Sequence, residues 1–400
     1  MLSKKNVLIA QFLGAAFVGA SLVYALSLMS LKPLTYSSTA LGTLSNATTT
    51  NTTTAAPAVV ALDTADYDQR MWANANNGTS TKALIAKALW LGSTSSPQIG
   101  AATSTLTTAT TSASSTLSNS SNKAIKKFLW PVRAPYPLAG SILPFHRIIA
   151  YYGNFYSKGM GVLGQYPEDV MLMKLAGEVA KWNAADPETP ALPAIDYIAV
   201  TAQGSPGKDN KYRLRMPDSQ IDHALELADR VHGIVILDVQ VGLSSVQVEI
   251  PELEKYLKLP NVHLAIDPEF SMKTGDKPGS VIGTFNAGDI NYTANYLAKL
   301  VHDNNLPPKV LIVHRFTQGM VRGAKQITPL PEVQVVIDMD GWGGPAKKIG
   351  TYTYFVAAEP VQFTGFKLFY KNDLLKPSTR ILTPRELLTL SPKPLFIQFQ

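Results

Sequence analysis

The chain has 400 residues and a formal net charge of +7, with its lysines scattered rather than gathered into a basic stripe with interleaved aromatics, which argues against a nucleic-acid surface. It contains no cysteine, so disulfides, thiolate metal sites, cysteine nucleophiles and a lipid-modified cysteine anchor are excluded. Ser, Thr and Ala dominate the first third, whereas the rest has the mixed composition of a domain large enough to bury a core.

No residue from Asn6 to Leu31 is charged, and Lys4, Lys5 and Lys32 flank the run. At 1.5 Å per residue it is long enough to cross about 30 Å of hydrocarbon as a helix. The two leading lysines place the N-terminus in the cytoplasm and everything after the run outside it. Residues 1–34 are therefore expected to be a membrane anchor; a cleaved signal peptide, with Ala25 and Ser27 at its small-residue site, is the rival reading. Either way the C-terminal domain is extracytoplasmic, and the membrane is a partner.

Residues 35–122 are expected to form a low-complexity stalk, because tracts such as Asn46 to Ala56 and Ala101 to Ser121 hold too few large apolar residues to offset the entropy of ordering. Asn46, Asn51, Asn77 and Asn119 head glycosylation sequons, although such triplets arise by chance in Thr-rich sequence. Within the stalk, Ala61 to Leu91 holds Tyr67, Met71, Trp72, Leu84, Ile85 and Trp90, enough for one or two short amphipathic helices docked on the following domain.

Residues 123–400 read as a (β/α)8 TIM barrel. Eight β-rich runs, 147–154, 195–203, 234–241, 262–269, 310–315, 333–340, 365–370 and 395–400, alternate with helices starting near Glu168, Asp218, Val246, Ala287, Arg322, Pro345 and Pro384. Eight parallel strands close readily because closure removes both edges; an open doubly wound sheet is the alternative. No helix follows the eighth run, so a segment ahead of the first, near Ala124 to Trp130 or Trp72 to Trp90, is expected to cover that strand.

Reactive groups of such a barrel sit at the C-terminal ends of its strands, and residues two apart share a face. Asp238 and Gln240, Asp267 and Glu269, Asp338 and Asp340, and Gln398 and Gln400 each fall on one parity, opposite apolar neighbours. Gln203, His314 and Lys367 lie at comparable heights, and Tyr152, Asn154, Arg315 and Trp342 are further candidates for the mouth. Five carboxylates in one mouth are costly unless solvated, paired or used. The plainer reading is that some cap loops or bridge to Lys367, Arg315 and the basic run Lys208, Lys211, Arg213 and Arg215.

Asp267-Pro268-Glu269 on the fourth strand resembles the end of the Asp-x-Glu signature of chitinase-type glycoside hydrolases, and 337–343 is similar to their sixth-strand motif. The resemblance implies Glu269 as general acid, Asp267 as the group that orients the substrate, and a sugar stacked on Trp342. The longer run of spaced acids is absent, Ala265 stands where one would fall, and Gln398 replaces an expected Trp. The runs 151–154, 157–164, 202–209, 212–218 and 314–318 resemble an uncharacterised group of bacterial secreted proteins and lipoproteins, a likeness that covers nearly all of 146–400 and implies no activity.

Gly159-Met160-Gly161-Val162-Leu163-Gly164 satisfies a dinucleotide fingerprint in letters but not in context, since Pro167 precedes the helix and no ribose-binding acid ends the second strand. No cofactor is expected, and the run reads as a flexible loop over the mouth. The six histidines show no metal spacing, so no metal is expected, although the carboxylate cluster is an all-oxygen set of the kind calcium or magnesium takes. His263 reads as a core residue. Two functions fit: a membrane-tethered, extracytoplasmic glycoside-hydrolase-like enzyme using Glu269, Asp267, Asp338 and Asp340, and a non-catalytic surface protein binding glycan or a protein partner at the same mouth.

Overall fold

Eight runs in which large apolar residues alternate with small or polar ones form eight strands: β1 Arg147–Gly153, β2 Ala191–Ala202, β3 Ile234–Val239, β4 Val262–Ile266, β5 Lys309–Arg315, β6 Val333–Met339, β7 Phe363–Leu368 and β8 Phe396–Phe399. The computed structural model describes residues 61–76 and 129–400; the apolar N-terminal run and most of the stalk lie outside the described residues. Every neighbouring pair is parallel, and β1 pairs with both β2 and β8, so the sheet is closed. The open-sheet alternative is thereby removed: this is an eight-stranded parallel α/β barrel, the TIM-barrel architecture.

The outward parity of each strand, including Ile149, Tyr197, Leu237, Leu264, Leu311, Ile337, Phe366 and Ile397, belongs to one apolar cluster with the surrounding helices. Those are α2 Glu168–Ala185, α3 Asp218–Arg230, α4 Ala287–Asn304 and α5 Pro345–Thr351. Pro167 and Pro217 precede α2 and α3, and Asn286 with Asp289 makes a reciprocal capping box on α4.

The helix expected near Arg322 does not form. Val321–Arg322 instead pairs as a short strand with Phe285–Asn286, and Ala324–Gln326 is a single 3-10 turn. Gly323 lies at φ +74 and Pro329 and Pro331 follow, so a helix could neither start nor continue there. Most of the two segments expected to cover β8 lies outside the described residues. Among the described ones, Ile397 and Phe399 share a cluster with Met171, Leu172 and Leu175 of α2 and with Leu387 of the short helix Pro384–Leu387.

The segment ahead of β1 has a different task. Helix α1, Thr64–Ala75, is capped by Asp63, and its Tyr67 and Met71 join Leu143, Ile148, Ile234, Val310, Phe363 and Leu395 in a second apolar cluster. Asn74 and Lys393 exchange hydrogen bonds at 2.8 and 2.9 Å, Arg70 Nη1 donates to Glu188 O at 3.0 Å, and Tyr136 donates to Asp68 at 2.8 Å. Glu188 and Lys393 both lie just before strands, so α1 closes the N-terminal end of the barrel. Inside that end, Gln334 accepts from the Ile142 and Leu143 amides and donates back to Leu143 O. His263 accepts from Val310 N at 3.0 Å and burial holds it well below the usual imidazole range, as befits a neutral core residue. Among the described residues no helix is long and apolar enough to cross a membrane.

Met71→Ala should cost about 2–5 kcal/mol, the range for emptying a buried methionine site, and amides 68–75 should exchange slowly. An unchanged urea midpoint together with fast exchange there would show that α1 does not close the barrel in solution.

Candidate active site

Alternation along the strands divides the interior into two halves. Below, Ile148, Ala150, Ile236, Ala265, Ile312 and Val336 make an apolar floor. Above them the same parity turns polar, with Tyr152 on β1, Asp196 on β2, Asp238 on β3 and Gln240 just after it, Asp267 after β4, His314 on β5, Asp338 on β6 and Asp340 just after it, Lys367 on β7 and Gln398 on β8. Each of these ten is buried.

His314 is the hub. Its Nε2 lies 2.8 Å from Asp238 Oδ2, and its Nδ1 lies 3.3 Å from both Asp338 Oδ2 and Asp340 Oδ2. Burial alone would depress this imidazole, but Asp238 and then Asp338 and Asp340 outweigh burial and raise it well above its ordinary value. A second cation stands beside it: Lys367 Nζ is 3.1 Å from Asp340 Oδ1 and 3.9 Å from the Tyr152 ring centre. Burial lowers this lysine too, and the Asp340, Asp267, Asp338 and Asp238 charges raise it by more. The carboxyls respond oppositely. Burial, then the nearby Asp238, pushes Asp196 well above the usual carboxylate range; burial does the same for Asp267 and raises Asp338. With four or more acids and two bases withdrawn from water, protons shared within the cluster cost less than a full set of charges.

Above this network opens a cavity of about 310 Å³ at the C-terminal mouth. Its polar walls are Tyr152, Gln240, Asp267, Glu269, Asp340 and Lys367, and its aromatic walls are Phe270, Phe316, Trp342 and Phe369. Glu269 sits on the 3-10 turn Pro268–Phe270 that leaves β4. Asp267 Oδ1 caps that turn by accepting Glu269 N at 3.0 Å. The Glu269 carboxyl is pushed up to about 7, first by burial and then by Asp340, against the pull of Lys367 and His314. Since it ionises more easily unfolded than folded, its neutral form contributes stability fully below about pH 4.5, lost as pH rises through about 7.

Eight residues expected at the mouth therefore line this cavity: Glu269, Asp267, Asp340, Tyr152, Gln240, Trp342, Lys367 and Gln400. Asp238, Asp338, His314 and Gln398 lie beneath it with no exposure. Gln398 faces Asp196, its Nε2 donating to Oδ2 at 2.5 Å. Asp338 fits because β7 has Gly365 beside it: a Cβ there would stand 2.5 Å from Asp338 Oδ1.

Three expected residues are not at the site. Arg315 has the parity opposite to His314, so its guanidinium points outward and pairs with Glu359 at 2.7 Å. Asn154 folds its own loop, accepting Tyr156 N at 2.9 Å and donating to Ile198 O at 3.1 Å. Gln203 lies one residue past the end of β2, at the parity opposite to the inward Asp196. Ala202 lines the cavity, while Gln203 bonds through its backbone to Tyr212. Arg213 and Arg215 do not bridge to the barrel acids either; they converge on the buried Glu249 at 2.8 and 2.7 Å.

The glycine-rich run packs against the end of β1 through Gly161 and Val162. Val162 N donates to Tyr152 O at 2.8 Å, and Gly161, at φ +125, approaches so closely that a Cβ would lie 2.3 Å from that oxygen. Gly159 and Met160 thus form one wall of the cavity. No cluster among the described residues has metal-binding geometry.

No protein-family model and no curated protein matches the sequence. Among solved structures, dihydropteroate synthase from Burkholderia cenocepacia, complexed with 7,8-dihydropteroate, is 10% identical with a TM-score of 0.31, covering 66% of this chain and 87% of that one. A ruminal GH26 endo-β-1,4-mannanase is 12% identical, also with a TM-score of 0.31, covering 63% of this chain and 58% of that one.

Because Asp340 raises Glu269 and Lys367 lowers it, carboxyl-carbon NMR should find Glu269 titrating below about 7 in Asp340→Asn and above it in Lys367→Met. Shifts of the opposite signs would mean that the three groups do not share a cavity in solution.

Proposed function

We propose that this barrel cleaves glycosidic bonds by acid catalysis, with Glu269 as the proton donor. One observation carries the reading: a carboxyl pushed up to about 7, hence about half protonated at neutral pH, lies on the wall of a cavity that a second acid, Asp340, also lines, with two cations facing Asp340. Glycosidic cleavage requires a protonated carboxyl beside the leaving oxygen and a second group that stabilises the positive charge developing on the sugar. The cavity is at the small end of the range for ligand pockets, and its aromatic walls suit the apolar face of a sugar ring. The Glu269 carboxyl has no hydrogen-bond partner among the described residues, which leaves its proton available to a substrate.

In this mechanism Glu269 gives its proton to the bridging oxygen, and the C–O bond breaks with its electron pair leaving on that oxygen. Positive charge grows at the anomeric carbon, where Asp340, steadied by Lys367 and His314, stabilises it. Water then adds at that carbon and returns a proton to Glu269. Asp267 acts on the turn that aims Glu269, and Asp338 acts through His314; neither needs to touch the sugar. The uncharged run from Asn6 to Leu31 supports placing this activity on the outer side of a membrane, with the barrel tethered or released.

A second reading has its own support. Asp340 already pairs with Lys367 and Asp267 is spent on a cap, while Trp342 keeps 40% of its surface exposed as a platform. A non-catalytic glycan-binding mouth would look the same.

The full chain should release reducing ends from some member of a polysaccharide panel, and Glu269→Gln should lower kcat about 10²–10⁴-fold. Activity should fall as pH rises through about 7, where Glu269 loses its proton. Glycan-array binding without turnover, unaltered by Glu269→Gln, would replace the catalytic reading with the binding one.

A further inference from the structure

The rim of the mouth carries the opposite charge to its depth. Residues 154–167, after β1, contain Lys158 and no acid, and residues 341–351, after β6, contain Lys347 and Lys348 and no acid. After β7 come Lys371, Lys376 and Arg380, with Asp373 as the one acid before α-helical residues resume. Asp373 is consumed inside the protein: it pairs with the buried Lys348 at 2.8 Å and accepts the Gly343 and Phe369 amides, both at 2.9 Å.

Several cations around the mouth are neutralised in a similar way. Arg213 meets Asp209 and Glu249, Lys273 meets Asp289, and Arg380 meets Glu386. Lys158, Lys347 and Lys371 are not, for none has a carboxylate partner among the described residues. Lys158 and Lys371 line a small hollow, about 60 Å³, that shares Gly159, Phe369 and Gln400 with the main cavity. The Lys347 ammonium lies 4.6 Å from the ring centre of Trp342, on the cavity wall.

We infer that the substrate is an anionic glycan, with the acidic group of one sugar seated between Lys158 and Lys371 while its neighbour occupies the cavity. This rests on the glycosidase reading for the cleavage but not for the binding. Two lysines without a carboxylate partner among the described residues, lining a hollow that shares three residues with the cavity, offer charge-assisted hydrogen bonds to a carboxylate or sulfate. The buried acids do not repel such a ligand as five free carboxylates would, because His314 and Lys367 lie among them. Lys347 adds a third positive charge where a chain leaving the cavity would pass over Trp342. Rim charges of this kind also draw a polyanion toward the mouth.

The test separates binding from cleavage. The full chain carrying Glu269→Gln, held in detergent micelles, is titrated calorimetrically with oligo-uronates, sulfated oligosaccharides and neutral oligosaccharides of equal length. An anionic series should bind about tenfold tighter than the neutral one, the size expected of two partly exposed ion pairs. The advantage should shrink as salt rises and vanish in Lys158→Gln/Lys371→Gln, while Lys158→Arg/Lys371→Arg should keep it. Whether the uronate or the sulfated series is preferred identifies the acid. Equal binding of neutral oligosaccharides, no binding of either anionic series, or an advantage that survives the double glutamine change would overturn the inference, and neutral-glycan turnover by the unmodified chain would then still uphold the acid mechanism. Anionic binding with no turnover of any glycan by the unmodified chain would instead sink the mechanism and leave the anionic preference standing.

Discussion

The upper half of this barrel depends on the imidazole of His314 being held between Asp238 on one side and Asp338 and Asp340 on the other. Closing eight strands forces every inward side chain into a space without bulk water, where an unpaired charge costs several kcal/mol. The interior acids are tolerable there because one imidazolium touches three of them and one ammonium touches the third from above. Removing either base would not simply delete a contact. It would change how many protons the remaining acids hold, Glu269 included.

That dependence explains the division of labour along the barrel axis. The floor is aliphatic, and Tyr67 and Met71 of α1 join its apolar cluster from beneath. Low dielectric below sharpens the electrostatics above. The loops around the mouth are tied by a second buried pair, Lys348 with Asp373, whose bonds reach Lys367 O, Gly343 N and Phe369 N. It fixes the ends of β6 and β7, and thus Asp340, Trp342 and Lys367 relative to one another.

Much of this was legible in sequence because a strand alternates strictly. The parity of Asp238, Asp267, His314, Asp338 and Lys367 against aliphatic neighbours was enough to bring them together once the sheet closed. The same rule, applied to Arg315, puts it outside, since it adjoins an inward His314. Asp196 was missed although its parity marks it; paired with Ile236 it lies one layer below Asp238, deeper than the strand ends where reactive groups are sought. Gln203 lies one residue beyond β2 at the parity opposite to Asp196, so its height along the strand does not bring it to the inward face. The aromatic walls Phe270, Phe316 and Phe369 were illegible for another reason: each follows the end of a strand, where periodicity no longer predicts direction.

Sequence also hid the relation between the charges in the depth and those on the rim. A count of charges treats Lys158, Lys208, Lys273, Lys371 and Arg380 alike. Only the fold shows that Lys273 and Arg380 are matched by carboxylates while Lys158 and Lys371 open into a hollow beside the cavity. A raised Glu269 is useful as an acid only if a ligand comes close enough to take its proton, and the charges a ligand meets first are the unmatched lysines. On the proposed reading the electrostatics of the depth and of the rim act in sequence on one ligand: the outer cations select an anionic sugar, and Glu269, raised by burial, acts on the bond beside it.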